Sequence, residues 1–157
     1  MKSFYKPLYR YAYWLAKDPA IAEDILQETF ARAWKNLHQL KDLNSAKSWL
    51  YTILSRENAR RFERKQLPMS DFTEDWQFEQ IAAQKDDIQT LNLRRAIFSL
   101  PEILREPLSL QVIAGFSTEE IAEVLSLNSN TVSTRLFRAR VALKKLFESD
   151  SRGKING

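Results

Sequence analysis

The sequence contains no cysteine, one histidine, three glycines and five prolines among its 157 residues. Without cysteine, neither a disulfide framework nor a thiolate metal site can form. The scarcity of glycine, proline and alternating polar–apolar runs disfavours sheet and predicts helix. No apolar run approaches the roughly 20 residues of a membrane span, and the N-terminus lacks the layout of a signal peptide. We therefore expect a helical protein of the cytoplasm, with no metal or other cofactor.

Residues that would support catalysis are equally scarce. The single histidine, His38, has neither a cysteine nor a paired carboxylate near it in the sequence, which favours a surface or interface role over metal binding or proton transfer. No nucleophile–base pair, glycine-rich phosphate loop or zinc-ligand spacing is present. We expect a protein that is not an enzyme.

Charge is distributed unevenly along the chain. Residues 1–65 hold 13 Lys and Arg against 7 Asp and Glu, residues 66–93 hold 1 against 6, and residues 94–157 hold 10 against 7. Two basic blocks therefore flank an acidic segment. Basic blocks favour a polyanionic partner such as nucleic acid, although a solvated basic surface is the simpler alternative at a net charge of +4.

The first block predicts three helices. Tyr5, Leu8, Tyr11 and Leu15 recur at helical spacing and are expected in the core. A second helix is predicted over 20–37, with a buried side of Ile21, Ile25, Phe30, Ala33, Trp34 and Leu37. A third is capped by Asn44 or Ser45 and has an apolar stripe of Ala46, Trp49, Leu50, Ile53 and Leu54. Arginines follow the stripe, of which Arg56, Arg60 and Arg64 share one face.

The acidic segment from about residue 66 to 89 predicts a linker, which Pro68 separates from the third helix. Beyond it, a short helix ends at Pro101. Another begins near Arg105 with Pro107 in its first turn and ends at Gly115. The fold class is therefore all-α, with two helical domains joined by an acidic linker.

The second block ends in a helix-turn-helix pattern. Ser117 and Glu120 form a capping box that opens a short helix, and a long helix capped by Asn130 extends to about Phe147. One side of this last helix is apolar and expected to be buried: Val132, Leu136, Ala139, Leu143 and Leu146. The adjacent face carries hydroxyls and guanidinium groups suited to phosphates and guanine edges: Thr131, Thr134, Arg135 and Arg138.

These motifs resemble those of a known family. Leu100-Pro101, Arg105-Glu106, the segment 117–125 and the segment 131–140 resemble the fourth domain of ECF (extracytoplasmic-function) sigma factors. The segment 22–30, Ala33-Trp34 and Trp49-Leu50 resemble their second domain. The resemblance implies domain 2 at 1–65, an acidic linker at 66–90, domain 4 at 91–150 with its helix-turn-helix, and a tail at 151–157.

The resemblance also implies partners and sites. Domain 2 would bind the core of bacterial RNA polymerase through Asp24, Gln27 and Glu28, and the −10 element of the promoter through Asn44, Trp49, Arg56, Arg60, Arg61 and Arg64. Domain 4 would read the −35 element of promoter DNA through Thr131, Ser133, Thr134, Arg135 and Arg138. Many such factors are held inactive by an anti-sigma factor, and the resemblance implies such a partner here.

Three positions depart from the family pattern. Asn130 stands where many relatives have glycine, Arg56 where many have asparagine (with Asn58 two residues on), and Ser133 where lysine is common. Two other functions stay open. A dimeric helix-turn-helix regulator would bind its operator without polymerase, and a sigma-like interaction module would bind no DNA. Initiation by core polymerase with this chain separates all three.

Overall fold

Seven α-helices make up most of the computed structural model, which describes residues 2–64 and 88–155. They are α1 (Lys2–Ala16), α2 (Pro19–Lys35), α3 (Ala46–Arg64), α4 (Ile88–Phe98), α5 (Glu102–Ala114), α6 (Thr118–Leu125) and α7 (Ser129–Ile155). Two 3₁₀ turns, Leu37–Gln39 and Leu43–Ser45, lie between α2 and α3. No strand occurs in these two ranges, so the all-α prediction is confirmed. The predicted linker lies outside the described residues up to residue 87, and residues 88–90 already belong to α4.

The first block is a three-helix unit in which α1, α2 and α3 pack on one another. Asp18 caps α2, because its carboxylate accepts from the backbone N–H of Ala20 and of Ile21. Pro19, which has no N–H to leave unpaired, occupies the first position of that helix. The predicted core positions on α1 are confirmed for Leu8, Tyr11 and Leu15, while Tyr5 is 47% exposed.

The burial predicted for the end of α2 is wrong. Trp34 is 71% exposed and Leu37 is 44% exposed, whereas Ile25 and Ala33 are buried as predicted. The helix ends at Lys35, so Leu37 belongs to the following 3₁₀ turn, which has no buried residue, rather than to α2. Helical periodicity predicted that Trp34 lies on the inner side with Ala33, but no helix within residues 2–64 and 88–155 covers that position.

The entry to α3 also differs from the prediction. Asp42 is the cap, since its carboxylate accepts from the Asn44 backbone N–H at 3.0 Å, and the 3₁₀ turn Leu43–Ser45 leads directly into the helix. Asn44 itself is exposed. The stripe predicted on α3 is buried at Leu50 and Leu54.

The second block is built around the pairing of α5 and α7, with α6 packed on both. Helix α5 begins at Glu102, earlier than predicted, so that Pro107 lies inside the helix rather than in its first turn. Gly115 ends α5 in the left-handed conformation with a φ of 72°, as predicted for a helix terminus. The capping box of Ser117 and Glu120 is present.

The last helix begins and ends differently from the prediction. Asn128, rather than Asn130, caps its start, because its side-chain oxygen accepts from the Asn130 N–H at 2.7 Å. The helix continues to Ile155. Val132, Leu136 and Ala139 are buried as predicted and Leu143 is partly buried, but Leu146 is 38% exposed. The buried stripe therefore ends where α7 extends beyond the block that it packs against.

The two blocks pack directly against each other, through α1 with α5 and α3 with α6. Aromatic side chains contribute to this interface: Tyr13 and Trp14 meet Phe98 edge-on, and Tyr51 meets Phe116 edge-on. Such edge-to-face pairs stabilise by roughly 0.5–1.5 kcal/mol each beyond their area burial. The sequence did not indicate this closed arrangement.

Across the described ranges, each helix is too short or too polar to traverse a lipid bilayer.

Candidate nucleic-acid and polymerase interface

The predicted −35 residues lie on the N-terminal half of α7, the second helix of the helix-turn-helix. Ser133, Thr134 and Arg138 are exposed, while Thr131 and Arg135 are partly buried. The Thr134 hydroxyl donates to the Asn130 carbonyl at 2.9 Å, which holds its side chain along the helix. Arg138 therefore presents the guanidinium most open to solvent on this face.

Arg135 has a second environment that the sequence did not reveal. Burial raises the pKa of Glu106 on α5, and the positive charge of Arg135 is near enough to oppose that rise. An arginine that neutralises a partly buried carboxylate contributes to packing as well as to any DNA contact. Arg138 is consequently the cleaner probe of DNA recognition.

The helix α3 carries the arginines predicted to follow the −10 strand. Arg56 is exposed, and the side chain of Arg64 lies outside the described residues. Arg61 reaches α2, where its Nη2 lies 3.7 Å from Asp24 Oδ2. Arg60 Nη1 instead lies 3.1 Å from Oε1 of Glu57, three residues earlier on α3 itself. Two of the predicted DNA-binding cations are therefore already paired with carboxylates.

The face predicted to meet polymerase lies along one side of α2. Asp24, Gln27 and Glu28 are all exposed. They border a cleft of about 630 Å³ between α2 and α3, which has six charged residues in its lining: Asp24, Glu28, Arg32, Glu57, Arg60 and Arg61. The structure thus brings the predicted polymerase-binding residues together with two of the predicted −10 arginines, Arg60 and Arg61, in one cleft whose charges balance.

Sequence reasoning missed Glu57, which lines this cleft. Its side chain is only 9% exposed and its carboxylate pairs with both Arg32 and Arg60. Arg32 also approaches Glu28, at 3.6 Å. A buried carboxylate requires such partners, because an unpaired buried charge is strongly unfavourable. The sequence feature that could have indicated this role is the three-residue spacing from Glu57 to Arg60, which allows an ion pair on one face of a helix.

The remaining predicted −10 residues have different surroundings. Asn44 is exposed in its 3₁₀ turn, and Trp49 is partly buried against the core of the first block. Asn58, by contrast, is buried, and its side-chain amide donates to Glu102 of α5 at 2.9 Å. The interface between the blocks therefore covers one polar residue of the basic helix.

Polar contacts hold that interface together. Arg105 of α5 is 5% exposed, and its guanidinium donates to the carbonyl oxygens of Leu100 at 2.8 Å and, across the interface, Leu15 at 3.3 Å. Lys47 of α3 donates to the Ala114 carbonyl and lies 4.9 Å above the Phe116 ring. These contacts come from both ends of α5, so the closed arrangement is specified along the whole helix.

A titratable group also lies at this interface. The hydroxyls of Tyr11 and Ser55 are hydrogen-bonded at 2.7 Å, and the carboxyl of Glu106 lies near the Tyr11 hydroxyl. Burial, helped by the nearby charge of Glu102, raises the pKa of Glu106 to about 7, against the opposing effects of Arg135, Tyr11 and Arg105. Burial likewise raises the pKa of Tyr11 well above its usual range.

We expect Glu106 to make stability depend on pH. Its pKa is raised in the folded chain to about 7, so its contribution is complete below the ordinary carboxyl pKa and declines as pH rises through 7. Relative to Glu106→Gln, the wild type should lose on the order of 2 kcal/mol of unfolding free energy between about pH 5.5 and about pH 8. Urea unfolding of both proteins at the two pH values measures this difference, and parallel pH profiles would contradict it.

No cluster of three or more candidate metal ligands occurs among the residues that the structure describes. His38 is exposed in the 3₁₀ turn after α2, consistent with the surface position expected for it.

Comparison with known proteins identifies the family. Residues 1–67 match the family description Sigma-70 region 2, and residues 90–143 match Sigma-70, region 4. The chain is 34% identical over 132 residues to the RNA polymerase sigma factor SigV of Bacillus subtilis, covering 83% of this chain and 78% of that protein. It is 30% identical over 145 residues to the ECF RNA polymerase sigma factor SigM of the same organism, covering 89% and 88%.

A solved structure shares the fold. The sigma factor RpoE from Bartonella quintana, crystallised in complex with the anti-sigma factor NepR, superposes with a TM-score of 0.74 at 24% identity, covering 95% of this chain and 96% of that one. The two basic helical blocks, the helix-turn-helix and these matches agree in order and extent. The chain belongs to the sigma-70 family of RNA polymerase sigma factors, in its ECF group.

Proposed function

We propose that this sigma factor contacts core polymerase through Asp24, Gln27 and Glu28, the −10 element through α3 and its preceding turn, and the −35 element through α7. The observation that carries the proposal is the helix-turn-helix of α6 and α7, whose exposed polar face holds Thr134 and Arg138 and contains no acidic residue from 126 to 147. We assign domain 2 to 1–65, the linker to 66–90 and domain 4 to 91–150. The factor works in the cytoplasm beside polymerase, without a catalytic step of its own.

The decisive experiment is transcription by purified core polymerase supplemented with this chain, using a library of promoter fragments. Enrichment of sequences with two elements at a fixed spacing supports the proposal. Tight binding to one operator without polymerase would indicate a stand-alone regulator, and no DNA-dependent activity would indicate an interaction module.

Recognition of the −35 element is tested at Arg138. A side chain that contacts a base edge contributes roughly 1–3 kcal/mol, so Arg138→Ala should lower initiation from the cognate promoter about tenfold. Core binding should be unchanged, because Arg138 lies on the other block from Asp24. Runoff transcription and core affinity are measured on the same preparations.

Arg140→Ala is the matched control for charge. Arg140 is also exposed on α7, but its guanidinium donates to Gln111 at 2.7 Å and so points toward α5. The Arg140→Ala substitution should therefore reduce initiation much less than Arg138→Ala does. Equal reduction by both variants would show that only the net charge of α7 matters.

Contact with polymerase is tested at Asp24. Charge reversal by Asp24→Lys should weaken association with core polymerase, since complementary charges guide and stabilise such contacts. Unchanged core affinity would remove α2 from the proposed interface.

We further infer that the chain opens to function. A globular chain of this length has a radius of gyration of about 15 Å and so extends about 40 Å across. The −10 and −35 elements lie about 25 base pairs apart, or roughly 85 Å at 3.4 Å per pair. Blocks in direct contact cannot occupy both elements of a straight duplex, so the interface around Arg105 must separate on the promoter.

We also propose control by an anti-sigma factor. The support is the Bartonella quintana sigma factor of similar fold, which was crystallised with such a partner. A partner that copurifies with this chain and blocks its binding to core polymerase is the expected finding, and a copurifying protein that leaves core binding intact would oppose the proposal.

A further inference from the structure

The cleft between α2 and α3 pairs residues that we assign to different partners. Asp24 belongs to the proposed polymerase face, whereas Arg61 belongs to the proposed −10 surface, and their charged groups lie 3.7 Å apart. Asp24 is the more open member, with 62% of its side chain exposed against 29% for Arg61. A macromolecule approaching from solvent therefore reaches the carboxylate before it reaches the guanidinium.

The pair has consequences for each partner. While Arg61 lies beside Asp24, its charge is partly neutralised and it contributes less to phosphate binding. A basic group of polymerase placed on Asp24 would replace Arg61 as the counter-ion. We propose that Asp24 masks the charge of Arg61 in the free chain, and that docking of a basic polymerase element on Asp24 releases Arg61 to bind the promoter strand. This inference rests on the proposed function of the Asp24 face.

The neighbouring arginine provides an internal contrast. Arg60 pairs with Glu57, whose side chain is 9% exposed and therefore not accessible to a polymerase side chain. Polymerase docking would leave that pair intact and displace the exposed pair of Asp24 and Arg61. Of the two paired arginines assigned to the −10 surface, only Arg61 is therefore released, which makes polymerase binding and DNA binding mutually favourable, as thermodynamic linkage requires.

The size of the effect follows from the exposure of the pair. Exposed ion pairs contribute about 0.2–1 kcal/mol, which corresponds to a change in affinity of about 1.4- to 5-fold. Asp24→Asn keeps the shape of the side chain and removes its charge. The free chain carrying this variant should bind a fluorescent single-stranded DNA of mixed sequence about threefold more tightly, with a salt slope steeper by about 0.7 for one additional phosphate contact.

A double-mutant cycle with Arg61→Ala isolates the pair. In the Arg61→Ala background, Asp24→Asn should no longer improve DNA binding. The matched control is Glu23→Gln, which removes the same charge from the adjacent exposed position. Glu23 makes no ion pair within residues 2–64 and 88–155, so this variant should leave the salt slope unchanged. Equal gains from Glu23→Gln and Asp24→Asn would overturn the masking.

The same double-mutant cycle, measured in the holoenzyme, tests whether polymerase docking releases Arg61. On a promoter fragment bound with core polymerase, Arg61→Ala should weaken binding by the same factor whether residue 24 is Asp or Asn, because polymerase has already displaced the pair. If the effect of Arg61→Ala on promoter binding still depends on residue 24 in the holoenzyme, the proposed release of Arg61 is wrong.

The outcomes also separate this inference from the proposed function. If Asp24→Lys weakens association with core polymerase but the free chain shows no coupling between residues 24 and 61 in DNA binding, the polymerase face stands and the masking is wrong. If Asp24→Lys leaves core association unchanged, the polymerase face itself is wrong and the release fails with it.

Discussion

A chain whose two blocks are covalently held together should fail to initiate transcription from a two-element promoter. The side chains of Asn58 and Glu102 meet at 2.9 Å across the interface, and the sequence contains no native cysteine to compete for a thiol reagent. A chain with Asn58→Cys and Glu102→Cys, joined by a short cleavable bis-maleimide, keeps the closed arrangement. The joined chain cannot bind the −10 and −35 elements at the same time, so it loses the affinity that comes from linking two binding sites. Initiation should therefore fall about a hundredfold or more.

Two controls make this result specific to closure. The same double variant capped with a monofunctional maleimide carries both substitutions without the link, and cleavage of the linker should restore initiation in the joined chain. A joined chain that initiates as well as the capped one would show that the closed arrangement is compatible with promoter binding.

Arg105→Met should destabilise the chain far more than replacement of an exposed arginine. Methionine keeps much of the buried stem, but it removes a guanidinium that donates to the carbonyl oxygens of Leu100 and Leu15. Leaving buried acceptors unsatisfied costs about 1–3 kcal/mol each, so the unfolding free energy should fall by about 3 kcal/mol. For a chain of this size, that corresponds to a melting temperature lower by about 10 °C.

The control is Arg56→Met, which removes an exposed guanidinium from α3. Surface substitutions usually change stability by less than about 0.5 kcal/mol, so its melting temperature should stay close to that of the wild type. Thermal melts followed by circular dichroism compare the two variants. Similar melting temperatures for both would show that the Arg105 hydrogen bonds contribute little.

Features set by neighbouring residues were predicted from the sequence. The capping box of Ser117 and Glu120 and the end of α5 at Gly115 are both present. Each depends on hydrogen bonds or backbone conformation within one turn of helix, which the local sequence specifies. The buried positions Val132, Leu136 and Ala139 followed from helical spacing for the same reason.

The burial predictions that were wrong near helix ends concern how far a neighbouring helix extends. Trp34 and Leu146 continue apolar stripes at the correct spacing, yet both lie beyond the contact that covers the rest of the stripe. Spacing identifies which side of a helix faces inward, whereas burial requires a second element opposite it. That element is distant in the sequence, and one sequence does not show where it ends.

By itself the sequence determined the all-α class, the helix-turn-helix and the family, because helix periodicity, caps and motif order are properties of consecutive residues. Only the tertiary structure decided what the charged residues contact. It places Arg61 beside Asp24, 37 positions earlier in the chain, and Arg105 beside the carbonyl of Leu15, 90 positions earlier. Such pairs form where helices cross, and the crossing depends on the packing of all the apolar faces together.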